Sequence, residues 1–524
     1  MPNINIHLVN ITSFNGGLLE DKREGWKYSG GSWTTQYYSV AKHFDPFTYP
    51  KKLVPHYQTV AAGADSATTQ HGYNILQTIY APYEGGYRLY GLGVKSGGYV
   101  KLYVQNIDAG SLDSATWLAA DNGECSAGSQ NAGMFFYYSG YLYFMRSSTD
   151  ISRYKTSSTT GMSEGWQTVS QTTAPVQPVH HSSDDLAYFA SDTHIYSYDG
   201  SSWTDALTLP SDYTTVALAE FGNYLAIGRV KNGSEDIDSV VYLWDRDSSL
   251  TTITQRIDFG KGTLRYLANL QGRLIGVMDF YGNNSFSLNK GRVMIKRANG
   301  VIADTLNTLT LDTTYSPYLA TTNFYVQDDK LYFVNAAPLN GDSRFGIWVT
   351  DFNGRLALDT LEANASQVSY YNFIYKTGEM FWIGYYDGTG NVVSRSDAEE
   401  GYSSSLASVY ESLIFNGGDS SQKNHLLGIT VTTEPMPSAG QIVLKYRKNL
   451  ENPDGTATTE TSWTTIFTNT TDNSVSHNAV NIEADGSQLP DFNEIQFRVE
   501  STGGAVLTGL RFAYESKPDS PYQP

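Results

Sequence analysis

Lys330-Leu331-Tyr332-Phe333-Val334, followed further on by Ile347-Trp348-Val349-Thr350-Asp351-Phe352-Asn353-Gly354, is the stretch whose reading decides the fold. The first run is apolar on both faces, as a strand covered on both sides must be. The second ends in the Asp, Asn and Gly punctuation of a tight turn. The first run recurs as Tyr87-Arg88-Leu89-Tyr90-Gly91, Tyr141-Leu142-Tyr143-Phe144, Asp185-Leu186-Ala187-Tyr188-Phe189 and Asn223-Tyr224-Leu225-Ala226-Ile227-Gly228. It returns as Arg273-Leu274-Ile275-Gly276-Val277 and as Glu379-Met380-Phe381-Trp382-Ile383-Gly384. The seven copies begin at 87, 141, 185, 223, 273, 330 and 379, a spacing of 38 to 57 residues. A period of roughly 40–50 residues is that of a four-stranded propeller blade, with loop insertions in the longer steps.

Third strands follow many copies, as in His194-Ile195-Tyr196-Ser197-Tyr198-Asp199-Gly200 and Val240-Val241-Tyr242-Leu243-Trp244-Asp245. A polar, Thr-rich fourth strand then closes the blade, for example Thr251-Thr252-Ile253-Thr254-Gln255-Arg256-Ile257. Apolar inner strands and an alternating outer strand are the pattern of a blade packed between neighbours with its outer edge in water. The fold class is therefore all-β: a β-propeller of six or seven blades, seven if every copy is a blade and six if one is decoration. A set of unrelated β-sandwiches is the competing reading, and recurrence of one strand pair weighs against it. Helical periodicity is nearly absent, with a turn or two expected around Ala398–Val409.

The two ends depart from the repeat. Residues 1–70, from Gly16-Gly17-Leu18-Leu19 through Trp26 and Trp33 to Tyr49-Pro50, look like an N-terminal arm, part of which completes the last blade. Residues 71–402 are the propeller. Residues 403–516 change character: Ile442-Val443-Leu444-Lys445-Tyr446-Arg447 and Ile495-Gln496-Phe497-Arg498-Val499-Glu500 alternate cleanly between apolar and polar. Alternation puts one face in a core and one in water, so this segment reads as a C-terminal antiparallel β-sandwich. Residues 517–524 are an irregular tail.

At 524 residues the chain has room for two or three domains, and 40% hydrophobic content is that of a globular protein. Tyr at 39 and Gly at 48 suit strands and tight turns. A net charge of -18 repels phosphate, which argues against sequence-specific nucleic-acid binding and against docking on an anionic membrane. No apolar run reaches the roughly 18 residues of a membrane-spanning helix. The single cysteine, Cys125, cannot form an internal disulfide. Met1-Pro2-Asn3-Ile4-Asn5-Ile6-His7 lacks the basic and apolar regions of a signal peptide. A Tyr/Ser/Thr/Gly-rich chain of this kind works outside a cell yet folds inside one, a combination that virion proteins and signal-less exported proteins share.

The search for chemistry returns no catalytic, cofactor-binding or metal site. His180-His181 is the only histidine pair, and adjacent strand residues point to opposite faces, so the two cannot share a metal. No His-Glu-x-x-His, Walker-type loop or Gly-x-Ser-x-Gly elbow is present. Asp236-x-Asp238 and Asp245-x-Asp247 have the oxygen-rich character of calcium loops, although solvated Asp turns are far commoner. Ser197-Tyr198-Asp199-Gly200-Ser201-Ser202-Trp203 resembles the Asp-box of sialidases, except that Gly200 follows Asp199 directly; that box is a turn motif even in enzymes. Trp26, Trp33, Tyr385 and Tyr386 are candidates for stacking on sugars, against a commoner role in packing.

The order of these parts resembles tail proteins of tailed bacteriophages, in particular the nozzle or hub proteins of short-tailed phages. The residues that carry the resemblance are Phe14-Asn15-Gly16-Gly17-Leu18 at the start and Leu413-Ile414-Phe415-Asn416-Gly417-Gly418 with Leu426-Leu427-Gly428-Ile429-Thr430-Val431 near the end. Gln441 to Arg447, Ser462-Trp463-Thr464-Thr465-Ile466, Glu494 to Glu500 and Thr508-Gly509-Leu510-Arg511-Phe512 complete them. The resemblance implies a non-enzymatic virion structural subunit, made in the host cytoplasm and assembled into the tail. Its partners would be copies of itself, in a ring for which sixfold order is the expectation, and other tail proteins, with DNA passing through an acidic lumen without sticking. Two alternatives stand beside it: a receptor- or glycan-binding fibre or decoration protein, and a propeller enzyme that cleaves glycans with two facing carboxylates.

Overall fold

A computed structural model describes residues 6–516 except 20, 62–72, 84–85, 96–99, 106–116, 125–133, 146–148, 157–161, 169–175, 177, 232–236, 248–252, 281–290, 311–318, 320–323, 336–345, 359–369, 378–379, 387–390, 397, 399–400, 449–461 and 481–487. Cys125, Asp236 and the 517–524 tail lie outside the described residues. Every regular element among those described is a β-strand. The helical turn expected around Ala398–Val409 is not formed by the described residues there; Ser408–Glu411 is a strand. The chain divides into two compact units, one of Val60–Gly354 and Asn364–Arg395, the other of Met1–Thr59, Arg355–Ala363 and Ser396–Pro524.

The first unit is a β-propeller whose described strands form seven blades. Blade 1 is Tyr73–Tyr83, Gly86–Lys95, Val100–Gln105 and Trp117–Glu124, and blade 2 is Phe135–Tyr138, Tyr141–Met145, Asp150–Lys155 and Met162–Thr168. Blade 3 is Val179–His181, Leu186–Ser191, His194–Tyr198 and Trp203–Thr208. Blade 4 is Tyr213–Phe221, Tyr224–Lys231, Asp238–Trp244 and Gln255–Lys261, and blade 5 is Thr263–Leu270, Arg273–Phe280, Arg292–Asn299 and Ile302–Thr310. Blade 6 contributes Phe324–Gln327, Lys330–Asn335 and Gly346–Asp351. Blade 7 is Tyr370–Thr377, Met380–Tyr386 and Asn391–Ser396, and its outermost strand is Thr59–Ala61.

Every copy of the recurring apolar run falls on the second strand of a blade. These strands are buried almost throughout, Lys330–Asn335 and Leu186–Ser191 beyond their first residue. Outer strands alternate instead: in Gln255–Lys261, Ile257 and Phe259 are buried between exposed or half-buried neighbours. The fourth strand of blade 4 begins at Gln255, later than its Thr-rich approach suggests.

The turns explain the punctuation. Ser139-Gly140, Gln271-Gly272 and Asp328-Asp329 join first to second strands with φ positive at both residues, from 46° to 86°. Two-residue hairpin turns of this hand match the twist of the strands they join, and Gly and Asp tolerate the conformation best.

Neighbouring blades are glued by apolar clusters. Trp382, Phe373 and Val393 of blade 7 pack with Leu89 and Tyr103 of blade 1, so the ring closes on itself. Ile227 and Leu225 of blade 4 pack with Tyr188 and Ile195 of blade 3. Burying one such side chain stabilises by roughly 1.5–3 kcal/mol. Where two blades approach most closely the sequence supplies glycine: a Cβ on Gly228 would come within 2.5 Å of Leu264 Cδ2 in blade 5.

Among the described residues the second unit holds two large sheets and two small ones, Gly17–Leu18 with Tyr37–Tyr38 and Phe44–Asp45 with Val54–Pro55. One large sheet runs Lys27–Ser29, Ser32–Thr34, Ile6–Ile11, Leu507–Ser516, Asn424–Thr433, Ser476–Val480, with Asp491–Phe492 also paired to Asn424–Thr433. The other, within this unit, runs Leu356–Leu358, Val40–Lys42, Ser408–Glu411, Ile495–Thr502, Gln441–Lys448, Thr464–Asn469. Phe497 of one sheet meets Phe512 of the other with ring centroids 4.8 Å apart, and Phe415 packs edge-on to Phe512 at 5.3 Å. The strand boundaries differ from those drawn on the sequence. Residues 6–59 are not a free arm: Ile6–Ile11 pairs antiparallel with Leu507–Ser516 and parallel with Ser32–Thr34, placing it inside the sheet. Among the described residues of the 1–70 segment, Thr59–Ala61 is the strand paired into blade 7.

Candidate functional site in the propeller axis

The first strand of each blade lies innermost, bonded to its second strand on one side. In blades 1, 4, 5 and 7 this strand carries a β-bulge, between Ile75 and Gln77, Thr215 and Ala217, Leu264 and Tyr266, and Tyr371 and Phe373. A bulge sets two residues against one and re-aims the side chains beyond it. Gln77, Tyr266 and Phe373, each just past a bulge, line an axial cavity of about 360 Å³. Thr78, Phe135, Pro178, Phe324, Tyr325 and Tyr375 complete most of the wall.

Six of the twelve described lining residues are aromatic. Tyr266 and Phe324 stack at 4.7 Å with planes 3° apart, and Tyr325 lies 4.7 Å from Tyr375 at 52°. Tyr375 accepts a 3.1 Å hydrogen bond from the backbone N–H of Tyr80, and its hydroxyl shares a hydrogen bond with that of Tyr325. Its neighbour Lys376 lies on the opposite face of the strand, as period-two alternation requires, donating to Tyr332 at 3.0 Å. Burial pushes the Tyr266 hydroxyl up to about 12, and moves Tyr325 and Tyr375 above the ordinary tyrosine range as well. All three hydroxyls are therefore neutral at physiological pH. Thr78 Oγ1 is buried in the wall without a hydrogen bond among the described residues.

Among the described residues no Asp, Glu, Lys or Arg lines this cavity. Arg265, one residue before Tyr266, lines a separate small cavity with Val176, Val179 and Leu218. Its Nε donates to the buried Asp279 at 2.8 Å. Burial raises the Asp279 carboxyl, and the Arg265 charge opposes that shift without cancelling it.

The residues singled out by sequence are dispersed. His180 and His181 diverge as expected: His180 is exposed and bonds Asp185 at 2.8 Å, while His181 is buried and accepts from Arg246 at 2.7 Å. Asp245 is occupied in a turn, accepting the N–H of Asp247 at 3.2 Å, and Asp238 begins a strand. Among the described residues no group of three His, Cys, Asp or Glu is placed to hold a metal. The Asp199 carboxylate accepts from the N–H and hydroxyl of Ser201 and from the N–H of Ser202 at 2.6–3.0 Å. Those bonds, the Ser201 hydroxyl first, hold its carboxyl down at about 2. Trp203 stacks on Tyr198 at 4.7 Å, so the motif is the turn between the third and fourth strands of blade 3.

Trp26 and Trp33 converge on Phe415 in the sandwich, at 5.1 and 5.8 Å, and the Trp26 indole donates to the Ile414 carbonyl. Tyr385 is buried beside Tyr371. The cavity residues were missed by the sequence search; the available signal is the aromatics just ahead of three hairpins, Tyr266, Phe324-Tyr325 and Tyr375.

Fold and cavity together define an all-β propeller protein. No family model and no curated protein matches the chain. Among solved structures it is similar to the β-propeller domain of Myceliophteria thermophila Cps50 (Swd1), at 11% identity and TM-score 0.40, covering 66% of this chain and all of that one. The Dos1 propeller matches at 9% identity and TM-score 0.37, over 68% of this chain and 83% of that one. A computationally designed protein, Ika8, matches at 12% identity and TM-score 0.35, over 62% and 96%. At these values the likeness concerns fold and nothing of function.

Proposed function

We propose that the chain is a non-enzymatic structural subunit of a bacteriophage tail, acting by self-assembly into a ring and by docking to other tail proteins. The observation that carries the reading is the pairing of a propeller with a sandwich built from both ends of the chain, the ends that hold the residues resembling the nozzle proteins. The net charge of -18 is consistent with a conduit that DNA traverses without adhering. On this reading the energetics lie in interfaces between subunits. Light scattering of the purified protein, alone and mixed with isolated tails, is the test. The expected result is a mass several times 57.8 kDa, or stoichiometric attachment of the protein to the tail. A persistent monomer that ignores the particle overturns the proposal.

A further inference from the structure

We propose that the axial cavity of the propeller is a binding site for a neutral saccharide of one or two sugar rings. Three features of the wall select that class. The first is size: about 360 Å³ lies at the lower end of the range of small-molecule pockets, roughly 300–1,000 Å³. The second is surface: the half-buried rings of Tyr266, Tyr325 and Tyr375 offer apolar area of the kind that the C–H face of a pyranose packs against. The third is polarity without charge. The hydroxyls of Tyr266, Tyr325 and Tyr375 are uncharged.

Charged ligands are disfavoured by the same wall. With no basic or acidic side chain among the described residues that line it, a carboxylate or phosphate would lose its water without gaining a counter-charge. A purely apolar ligand fails for the opposite reason, since it would shield the hydroxyls of Tyr325 and Tyr375 from water without replacing that water's hydrogen bonds. A sugar presents both an apolar face and a rim of hydroxyls. Tyr325 and Tyr375 share one hydrogen bond, which leaves one of their two O–H groups to donate to a ligand. Beside the wall, Tyr80 and Tyr87 are solvent-exposed and stacked at 5.5 Å, and the backbone of Tyr80 is bonded to Tyr375. This places a second aromatic surface next to the cavity, suited to a longer glycan chain whose end enters. The inference does not depend on assembly into a tail.

Saturation-transfer NMR on the full chain is the test, with glucose, galactose, N-acetylglucosamine, maltose and lactose as probes and with sialic acid and adenosine beside them. At least one neutral sugar is expected to show transfer. Tyr325→Phe and Tyr266→Phe, which remove one hydroxyl each and keep the shape, are each expected to weaken it about fivefold to tenfold. Their melting curves should match the parent, separating lost contact from lost fold. The proposal is overturned if no neutral sugar gives transfer. It is also overturned if sialic acid or adenosine binds in preference, or if both variants, once shown to be folded, bind as the parent does.

Discussion

The propeller and the sandwich are both all-β, yet they are assembled from the chain in opposite ways. Each of blades 1 to 5 is one continuous stretch of sequence, and hairpins join strands that lie a few residues apart. The sandwich instead joins Ile6–Ile11 to Leu507–Ser516 and Val40–Lys42 to Ser408–Glu411. Local pairing closes small loops and repeats itself, whereas non-local pairing must first meet the loop entropy of hundreds of residues. The difference teaches where each unit is vulnerable: the sandwich at its N-terminal strand, the propeller at the seam where blade 7 meets blade 1.

The largest effect is expected from Val9→Asp. Val9 is fully buried, opposite Phe512 on one side and Trp33 on the other. An unpaired carboxylate there should cost more than about 4 kcal/mol. Ile6→Asp, in the same strand at 59% exposure, should cost little. Urea unfolding of the two variants measures the contrast, and equal costs would mean that the strand is not held in the sheet.

At the seam of the ring, Trp382→Ala should remove about 3–5 kcal/mol, because the indole fills the cluster between blades 7 and 1. Hydrogen exchange should then show the loss spreading to Thr59–Ala61 and Asn391–Ser396 before the interface of blades 3 and 4. Loss confined to Trp382 and its contacts would show that closure is not cooperative.

The smallest effect belongs to Asp199→Asn. The folded carboxyl is held at about 2 against an ordinary 3.8, so its stabilising contribution is present above 3.8 and is lost as pH falls through about 2. The residue is exposed, so solvent screens the gain. Melting curves from pH 5 to 2 should fall less steeply for the variant than for the parent. Identical slopes would remove Asp199 as a stabiliser of its turn.

Legibility in the sequence follows the same division. The second strands were readable because burial on both faces writes an uninterrupted apolar run, as in Lys330–Asn335. Clean alternation likewise exposed Gln441–Lys448 and Ile495–Thr502. The N-terminal strands were not readable as sandwich. Gly17–Leu18 and Tyr37–Tyr38 are too short to show a period, and the partner of Ile6–Ile11 lies at the far end of the chain. The cavity was hidden for a third reason. A bulge shifts the two-residue register midway along the strand, so the residues beyond it break the alternation that would reveal their face. Tyr266 and Phe373 sit just past such breaks.

The pairing of Ile6–Ile11 with Leu507–Ser516 also imposes a timetable on biosynthesis. At about 5–20 residues per second, the ribosome delivers the partner strand roughly 25–100 s after the first one has emerged. Blades can form meanwhile, each within seconds of its own synthesis. Ile6–Ile11 is thus made long before its partner and is among the last strands to find its place, and through that interval its Val9 and Ile11 side chains are without the core that later buries them.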